Sequence, residues 1–414
     1  MTNAPGTSRS IANPAERRPN PDQFRSIFPL RDACALALVV VATTLASPRA
    51  RAETESRGRQ FVGFSSFGSF GEMPGTQTGQ KILLSPEIQA AIEFNEAIVS
   101  WNTQMPSQSW LTVEARALYP AGASKYYSLG VWSSDAGPPR HSVANQADPD
   151  GKVSTDTLIL RRGARGLQVR LTLTGELASP AWLKFLGVSF CDAKATLPEL
   201  PPNRSVWGKV LPVPERSQMP YPNGKVWCSP ATISMLLGFW GGDLKRPELD
   251  RPVPEVAEGV YDSEWKGTGN WAFNAAYAGS IPGLRAYVSR LSDVSELEDW
   301  IGRGIPVGLS LDYDRLRAKG PGPNGHLVVC VGFTKEGDPV INDPGTSQHV
   351  RKVFPRTNLI NAWACSHNTV YLVYPEGTSL PDDRFKHWAA PDANVPSAGS
   401  THTANQTPPG NSVP

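Results

Sequence analysis

Residues 218–242 read QMPYPNGKVWCSPATISMLLGFWGG, and the fold turns on this stretch. Ile233, Leu236, Leu237 and Trp240 recur at i, i+3, i+4 and i+7, the spacing of one apolar helix face, while Pro230 fits a first turn and Gly241-Gly242 a stop. The spacing predicts a helix that opens at Cys228. Unsatisfied backbone N–H groups and the positive end of the helix dipole collect at such an opening and favour a thiolate over a thiol. Taken alone, a single cysteine there reads sooner as a small, inert buried hydrophobe.

A histidine downstream gives the thiol a partner. Residues 320–326, GPGPNGH, form a turn-rich loop that delivers His326 to the first position of an apolar strand, LVVCVGF, whose end can hold an imidazole at the rim of a core. Residues 334–338 read as a turn, so 339–343 return antiparallel beside that strand. With the turn centred near Glu336, Asp343 lands roughly opposite Val328 and has His326 as its diagonal neighbour on the same face. A carboxylate there holds the imidazole in one tautomer and stabilises the imidazolium that forms when it takes a thiol proton. Asp-Pro-Gly is also an ordinary loop sequence, so it is the convergence on His326 that singles out Asp343. Gln218, on the loop entering the helix, is placed to donate its side-chain amide to a developing oxyanion together with the Cys228 backbone N–H; Asn223 competes for that role. His349 and His367 lie in the same region but precede no apolar strand with an acid returning beside it. His141, His387 and His402 fall in expected loops or the tail.

Around these residues the segment 205–376 reads as helices first, opening at Cys228 and then near 271–279 and 294–303. Strands follow at 306–311, 326–333, 339–342 and 369–374, an α+β order. The preceding segment, 81–197, has β-branched and aromatic runs at 97–101, 110–117, 126–132, 157–160, 167–174 and 185–190. Turn formers such as Asp148-Pro149-Asp150-Gly151 separate them, which points to an all-β, sandwich-like domain. Residues 198–204 read as a linker and 53–80 as a flexible arm, in which Phe61, Phe64, Phe67 and Phe70 stand among serines and glycines. The segment 377–414 is rich in Pro, Ser, Thr, Asn and Gln and reads as a disordered tail.

A chain of 414 residues exceeds one ordinary core, in keeping with two domains. Lys and Arg number 40 against 38 Asp and Glu, and no long basic run tracks a phosphate backbone, so nucleic acid is not an expected partner. Residues 33–46, ACALALVVVATTLA, follow Arg25 and Arg31 and precede Ala50-Arg51-Ala52. That is the layout of a signal peptide over 1–52, cleaved after Ala52, with an uncleaved anchor as the competing reading. The expected location is therefore outside the cytoplasm: periplasmic, secreted or at the cell surface. Cys34 leaves with the leader. Cys191, Cys228, Cys330 and Cys365 match no zinc spacing, call for no cofactor, and allow at most one disulfide if one thiol is a nucleophile.

The order Gln218, Cys228 at a helix start, His326 before an apolar strand, then Asp343-Pro344 after a hairpin resembles the papain clan of cysteine peptidases. Within it, the likeness is to the bacteriocin-processing, double-glycine-leader peptidases and their stand-alone relatives. Gly269-Asn270-Trp271-Ala272-Phe273-Asn274, and the run 297–309 through Gly304-Ile305-Pro306-Val307, add to the likeness, which covers 212–374. The resemblance implies a papain-like α+β domain with Cys228 as nucleophile, His326 as general base, Asp343 as its orienting acid and Gln218 as oxyanion donor. It implies a peptide or protein substrate, cell-wall material included, cut at a peptide or isopeptide bond. Bacteriocin maturation in the strict sense is not expected, because the sequence shows neither a sustained apolar span after the leader nor a Gly-Lys-Ser/Thr phosphate loop. One departure stands out: the family carries Gly after the nucleophile, and here Ser229 precedes Pro230. Two other functions fit the same residues, namely transfer of the thioester to an amine, as transglutaminase-like enzymes do, and non-catalytic cell-surface binding on a degenerate scaffold.

Overall fold

The computed structural model describes residues 56–133, 137–176, 178–196, 198–323 and 325–389. The expected leader with Cys34, residues 53–55 of the arm and the tail from 390 lie outside the described residues. Ten strands come first: β1 (Arg59–Phe64), β2 (Gly71–Pro74), β3 (Gln80–Leu84), β4 (Ile88–Thr103), β5 (Trp110–Tyr119), β6 (Gly122–Ala123), β7 (Tyr127–Ser133), β8 (Gly151–Ser154), β9 (Thr157–Thr174) and β10 (Leu183–Cys191). The second half opens with helices α1 (Cys228–Asp243), α2 (Val253–Gly259) and α3 (Trp271–Gly279). Strand β11 (Leu284–Arg290), α4 (Val294–Gly302), β12 (Val307–Asp312) and α5 (Tyr313–Leu316) follow. Then come β13 (Gly325–Phe333), β14 (Pro339–Asn342), β15 (Arg351–Val353), α6 (Arg356–Trp363), β16 (Thr369–Pro375) and β17 (Trp388–Ala389). The expected α+β order is present, with β11, α2, α5, β15 and α6 in addition to the elements read from the sequence.

In the β-rich half, β4 shows why pattern and environment agree. From Ile88 to Phe94 it alternates buried and exposed, as a strand with one wet face must, while from Ala97 to Thr103 it is buried throughout. There it is covered on both sides, by its own half and by α3 and β11 of the other. β9 runs between β5 on one edge and β3 and β4 on the other, with β8 pairing its first residues. The long, bulged β4 and β9 therefore tie all the strands, with β17, into one network of eleven rather than the two separate sheets of the expected sandwich.

The flexible arm expected at 53–80 is structured in its described part. β1 pairs with β10 over six residues, and Phe61, Phe64 and Phe70 are buried. Phe61 stacks on Tyr287 with ring centroids 4.4 Å apart, so the phenylalanines supply the apolar area that makes ordering favourable. The disordered tail expected from 377 is likewise ordered to 389. β17 pairs in parallel with β1, and buried His387 lies between Glu296 Oε1 and the Ser56 carbonyl, 2.9 Å from each. The expected linker is strapped to α4, where the Asp293 carboxylate accepts from Leu200 N at 3.0 Å.

The second sheet is antiparallel, in the order β11-β16-β12-β13-β14-β15. Its β11 edge is covered by side chains from β4. Buried Asn102 donates to the Ala286 carbonyl at 2.7 Å and accepts from Ala286 N at 3.1 Å, and Ser100 Oγ accepts from Val288 N at 2.9 Å. All described residues belong to one compact unit. Asn102→Ala would leave both backbone groups of Ala286 buried and unpaired, at a cost of about 2 to 3 kcal/mol. In urea, the variant is expected to show a lower midpoint for a single transition seen alike by circular dichroism and tryptophan fluorescence. Two separate transitions would contradict the shared edge.

Candidate active site

β13 presents His326 as its second residue, opposite Leu311 of β12. α1 packs on this strand and starts at Cys228. It is buried on nearly all sides, Ser229 to Leu237 included, rather than along one face as its spacing implied. No side chain caps its first turn, which leaves backbone N–H groups free for the thiol.

Asp343 reaches His326 through a defect in the ladder. Cys330 pairs with Ile341, but the next pair is Gly332 with Val340, so Val331 is an extra residue. Its carbonyl instead accepts from Leu211 N at 2.7 Å. Gly332 permits this approach, since a Cβ there would lie 2.1 Å from the Lys209 carbonyl oxygen. Beyond the last pair, Val329 with Asn342, the register sets Asp343 opposite Val328 and on the face of His326. The expected position is reached by a bulge that a plain count about Glu336 does not contain.

His326 Nε2 and Asp343 Oδ1 are 2.7 Å apart, which leaves Nδ1 for the Cys228 thiol hydrogen-bonded to the ring. Tyr313 Oη donates to Asp343 Oδ2 at 2.9 Å and Gly345 N to Oδ1 at 2.9 Å. Burial pushes the Cys228 thiol up. The hydrogen bond and positive charge of His326, with the N–H groups of Leu327 and Ser229, outweigh it and hold the thiol below its ordinary value. Burial also pushes His326 down, and its bonds to Asp343 and Cys228 reverse that, raising it to about 9. Asp343 is raised by burial but lowered on balance by His326, Tyr313 and Gly345. A thiol shifted down beside an imidazole shifted up is the electrostatic arrangement that favours a thiolate–imidazolium pair, with the carboxylate positioned to hold the imidazolium.

Gln218 is buried beside this trio, and its N–H donates to the Pro344 carbonyl at 3.0 Å, tying the two site loops together. Its Oε1 has no partner among the described residues. Gly224 makes room for this loop, because a Cβ there would come within 1.7 Å of the Gln218 carbonyl oxygen. Asn223, the competing donor, is exposed. His349 is exposed, and His367 sits 3.7 Å from Glu96 rather than near Cys228. Cys191, Cys228, Cys330 and Cys365 are all free thiols. Among the described residues, no three His, Cys, Asp or Glu side chains converge as a metal would require.

Tyr313, Gly224 and Gly345 were not legible as site residues: none lies in a periodic run, and each matters only because a distant loop arrives against it. Ser229 has a structural account. Its side chain is fully buried, and its Oγ lies 2.8 Å from Tyr371 Oη on β16, on the core side of the helix.

Residues 210–371 match the Peptidase C39 like family, and residues 78–189 match the Peptidase C39 N-terminal domain. Among solved structures, a protein from Bacillus anthracis described as a C39-like peptidase is 18% identical. The match covers 41% of this chain and 99% of that one, with a TM-score of 0.30. No curated protein matches. Ser229→Ala would leave the buried Tyr371 hydroxyl unpaired, and is expected to cost about 1 to 2 kcal/mol in urea unfolding while leaving the rate of Cys228 alkylation unchanged. A changed alkylation profile in a stable variant would place Ser229 in the chemistry instead.

Proposed function

This chain belongs to the C39-like cysteine peptidases of the papain clan, and on that premise we propose that it hydrolyses peptide or isopeptide bonds through Cys228, His326 and Asp343. The observation that carries the reading is the continuous chain from the Cys228 thiol through the His326 ring to Asp343 Oδ1 at 2.7 Å, with opposite shifts of thiol and imidazole. The thiolate attacks the carbonyl carbon of the scissile amide. The oxyanion that forms is met by two donors, the Cys228 backbone N–H and the side-chain NH2 of Gln218, which is buried on the loop tied to Pro344. The imidazolium then gives its proton to the leaving amine as the C–N bond breaks, leaving a thioester. Neutral His326 next takes a proton from water, the hydroxide attacks the thioester, and the acid product leaves as the thiolate and imidazolium are restored.

A peptide substrate suits the surroundings. Val226, 66% exposed, and Tyr261, 45% exposed, line a cavity of about 840 Å³ with Trp227, which directly precedes the nucleophile. The β-rich half serves in this reading as a buttress, fixed to α3 and β11, whose strands carry no catalytic group. We extend the proposal to export, on the leader-like run at 33–46.

The pH dependence has a defined sign. The thiolate fraction grows as pH rises through the lowered thiol value, and the imidazolium is lost as pH rises through about 9. Iodoacetamide is therefore expected to modify Cys228 at pH values where a free thiol is inert, and His326→Ala to abolish that reactivity. A wild-type profile like that of an unperturbed thiol would sink the proposal. On a peptide substrate, Cys228→Ala should be inactive and Gln218→Ala about 100-fold slower, with the alkylation profile of Gln218→Ala unchanged. Equal turnover in Gln218→Ala and wild type would remove Gln218 from the oxyanion site, and transfer of product to an added amine in place of hydrolysis would reassign the reaction.

A further inference from the structure

Tyr313 opens α5, directly after β12, and meets both partners of the Cys228 nucleophile at once. Its ring lies over the His326 imidazole, with centroids 4.0 Å apart and planes inclined by 33°. Its hydroxyl donates to Asp343 Oδ2 at 2.9 Å, the carboxylate oxygen that His326 does not use. The guanidinium of Arg317, one helical turn on, stands 3.7 Å from the same ring, and Arg317 is itself held by Asp314 at 2.6 Å. The turn that carries Tyr313 is anchored in turn, since Asp312 accepts from Asp314 N at 2.9 Å and Arg315 N at 3.0 Å.

Resting on the peptidase reading above, we propose that Tyr313 is the positioning residue of this site, fixing both the plane of the His326 imidazole and the rotamer of Asp343. An imidazole held only by one bond to Asp343 is free to pivot about it. A flat ring at van der Waals distance removes that freedom, and the hydroxyl bond removes the matching rotation of the carboxylate. The stack also covers the Nε2–Oδ1 bond from solvent, which strengthens it, because a charge-assisted bond gains when water is excluded. Tyr313 keeps its proton throughout: burial and the neighbouring Asp343 carboxylate both push its pKa up, so it remains a donor. Among the described residues, the titratable groups facing His326 are Cys228 from α1, Asp343 after β14 and Tyr313 from α5, with the Arg317 cation on the far side of the tyrosine ring. Gly345 completes the fit. A Cβ there would come 2.9 Å from Tyr313 Oη and 3.0 Å from His326 Cε1, so only glycine lets the aspartate loop lie against the stack.

The test is the pH profile of Cys228 alkylation by iodoacetamide in wild type, Tyr313→Phe and Tyr313→Ala, with thermal melts as the check on folding. Tyr313→Phe keeps the ring and leaves Oδ2 buried and unpaired, which loosens the carboxylate; reactivity at pH 6 is expected to fall ~3-fold. Tyr313→Ala also frees the imidazole, and its profile is expected to move about one unit towards that of a free thiol, a ~10-fold loss at pH 6. A purely structural tyrosine would lower the melting temperature and leave the profile in place. If the Ala variant does not fold, the Phe profile decides alone. Variant profiles that overlap a wild type reactive at low pH would overturn the positioning role while sparing the ion pair. A wild type that titrates like a free thiol would overturn the peptidase reading and the role of Tyr313 with it.

Discussion

A β-strand has two faces, and a shift of one residue moves every side chain to the other. The site depends on that constraint. His326 is fixed by the pairing of β13 with β12, and Asp343 by the pairing of β14 with β13, so the two carry a shared face only if the count between them has the right parity. Val331 supplies the odd residue. An unbulged hairpin through Pro339 and Phe333 would set Asp343 opposite Val329 and turn its carboxylate away from the imidazole. The bulge persists because the segment around Val210 takes up the hydrogen bonds that β14 cannot, with Phe333 N donating to the Lys209 carbonyl at 2.9 Å. Without Gly332 the two backbones would not come that close.

With His326 and Asp343 on one face and Cys228 brought to them by α1, the three groups stabilise one another against burial. Each is disfavoured as a charge by its surroundings, and in each the partners outweigh that cost. The balance is possible because the acceptor positions of Asp343 are filled by Tyr313 and Gly345 as well as His326, and because the Cys228 sulfur sits at the uncapped N–H groups of a helix start. Ser229, where the family carries glycine, leaves this arrangement undisturbed: its hydroxyl is engaged with Tyr371 beneath the helix.

The β-rich half contributes by completing the second sheet. β11 would otherwise present an open edge, and Asn102 and Ser100 close it with side chains that act as a neighbouring strand would. The same region reaches the loop before α3: Asp262 accepts from Ser142 N at 2.9 Å and from Asn270 Nδ2 at 3.0 Å, while Thr268 Oγ1 donates to the Val226 carbonyl at 3.1 Å, two residues from Cys228. Support therefore passes from the β-rich strands to the wall beside Cys228.

Cys228 at a helix start, His326 at a strand start and Asp343 after a hairpin were legible because each is a local matter of spacing, turn chemistry and apolar runs. The helix over 271–279 and the strand over 339–342 fall where the pattern placed them. Gln218 was legible only as one of two candidate donors; in the fold Gln218 is buried and Asn223 is exposed. The arm and the first part of the tail misled, because glycine, serine and proline counts do not register a few aromatic rings that find a distant surface, as Phe61 and Trp388 do at 5.0 Å from one another. The sequence by itself determined the helix that opens at Cys228, the strand that opens near His326 and the hairpin that ends at Asp343, since those depend on neighbours within a few residues. Tertiary structure alone decided the bulge, the tyrosine over the imidazole and the fusion of the two halves, since each depends on backbone and rings brought together from far along the chain.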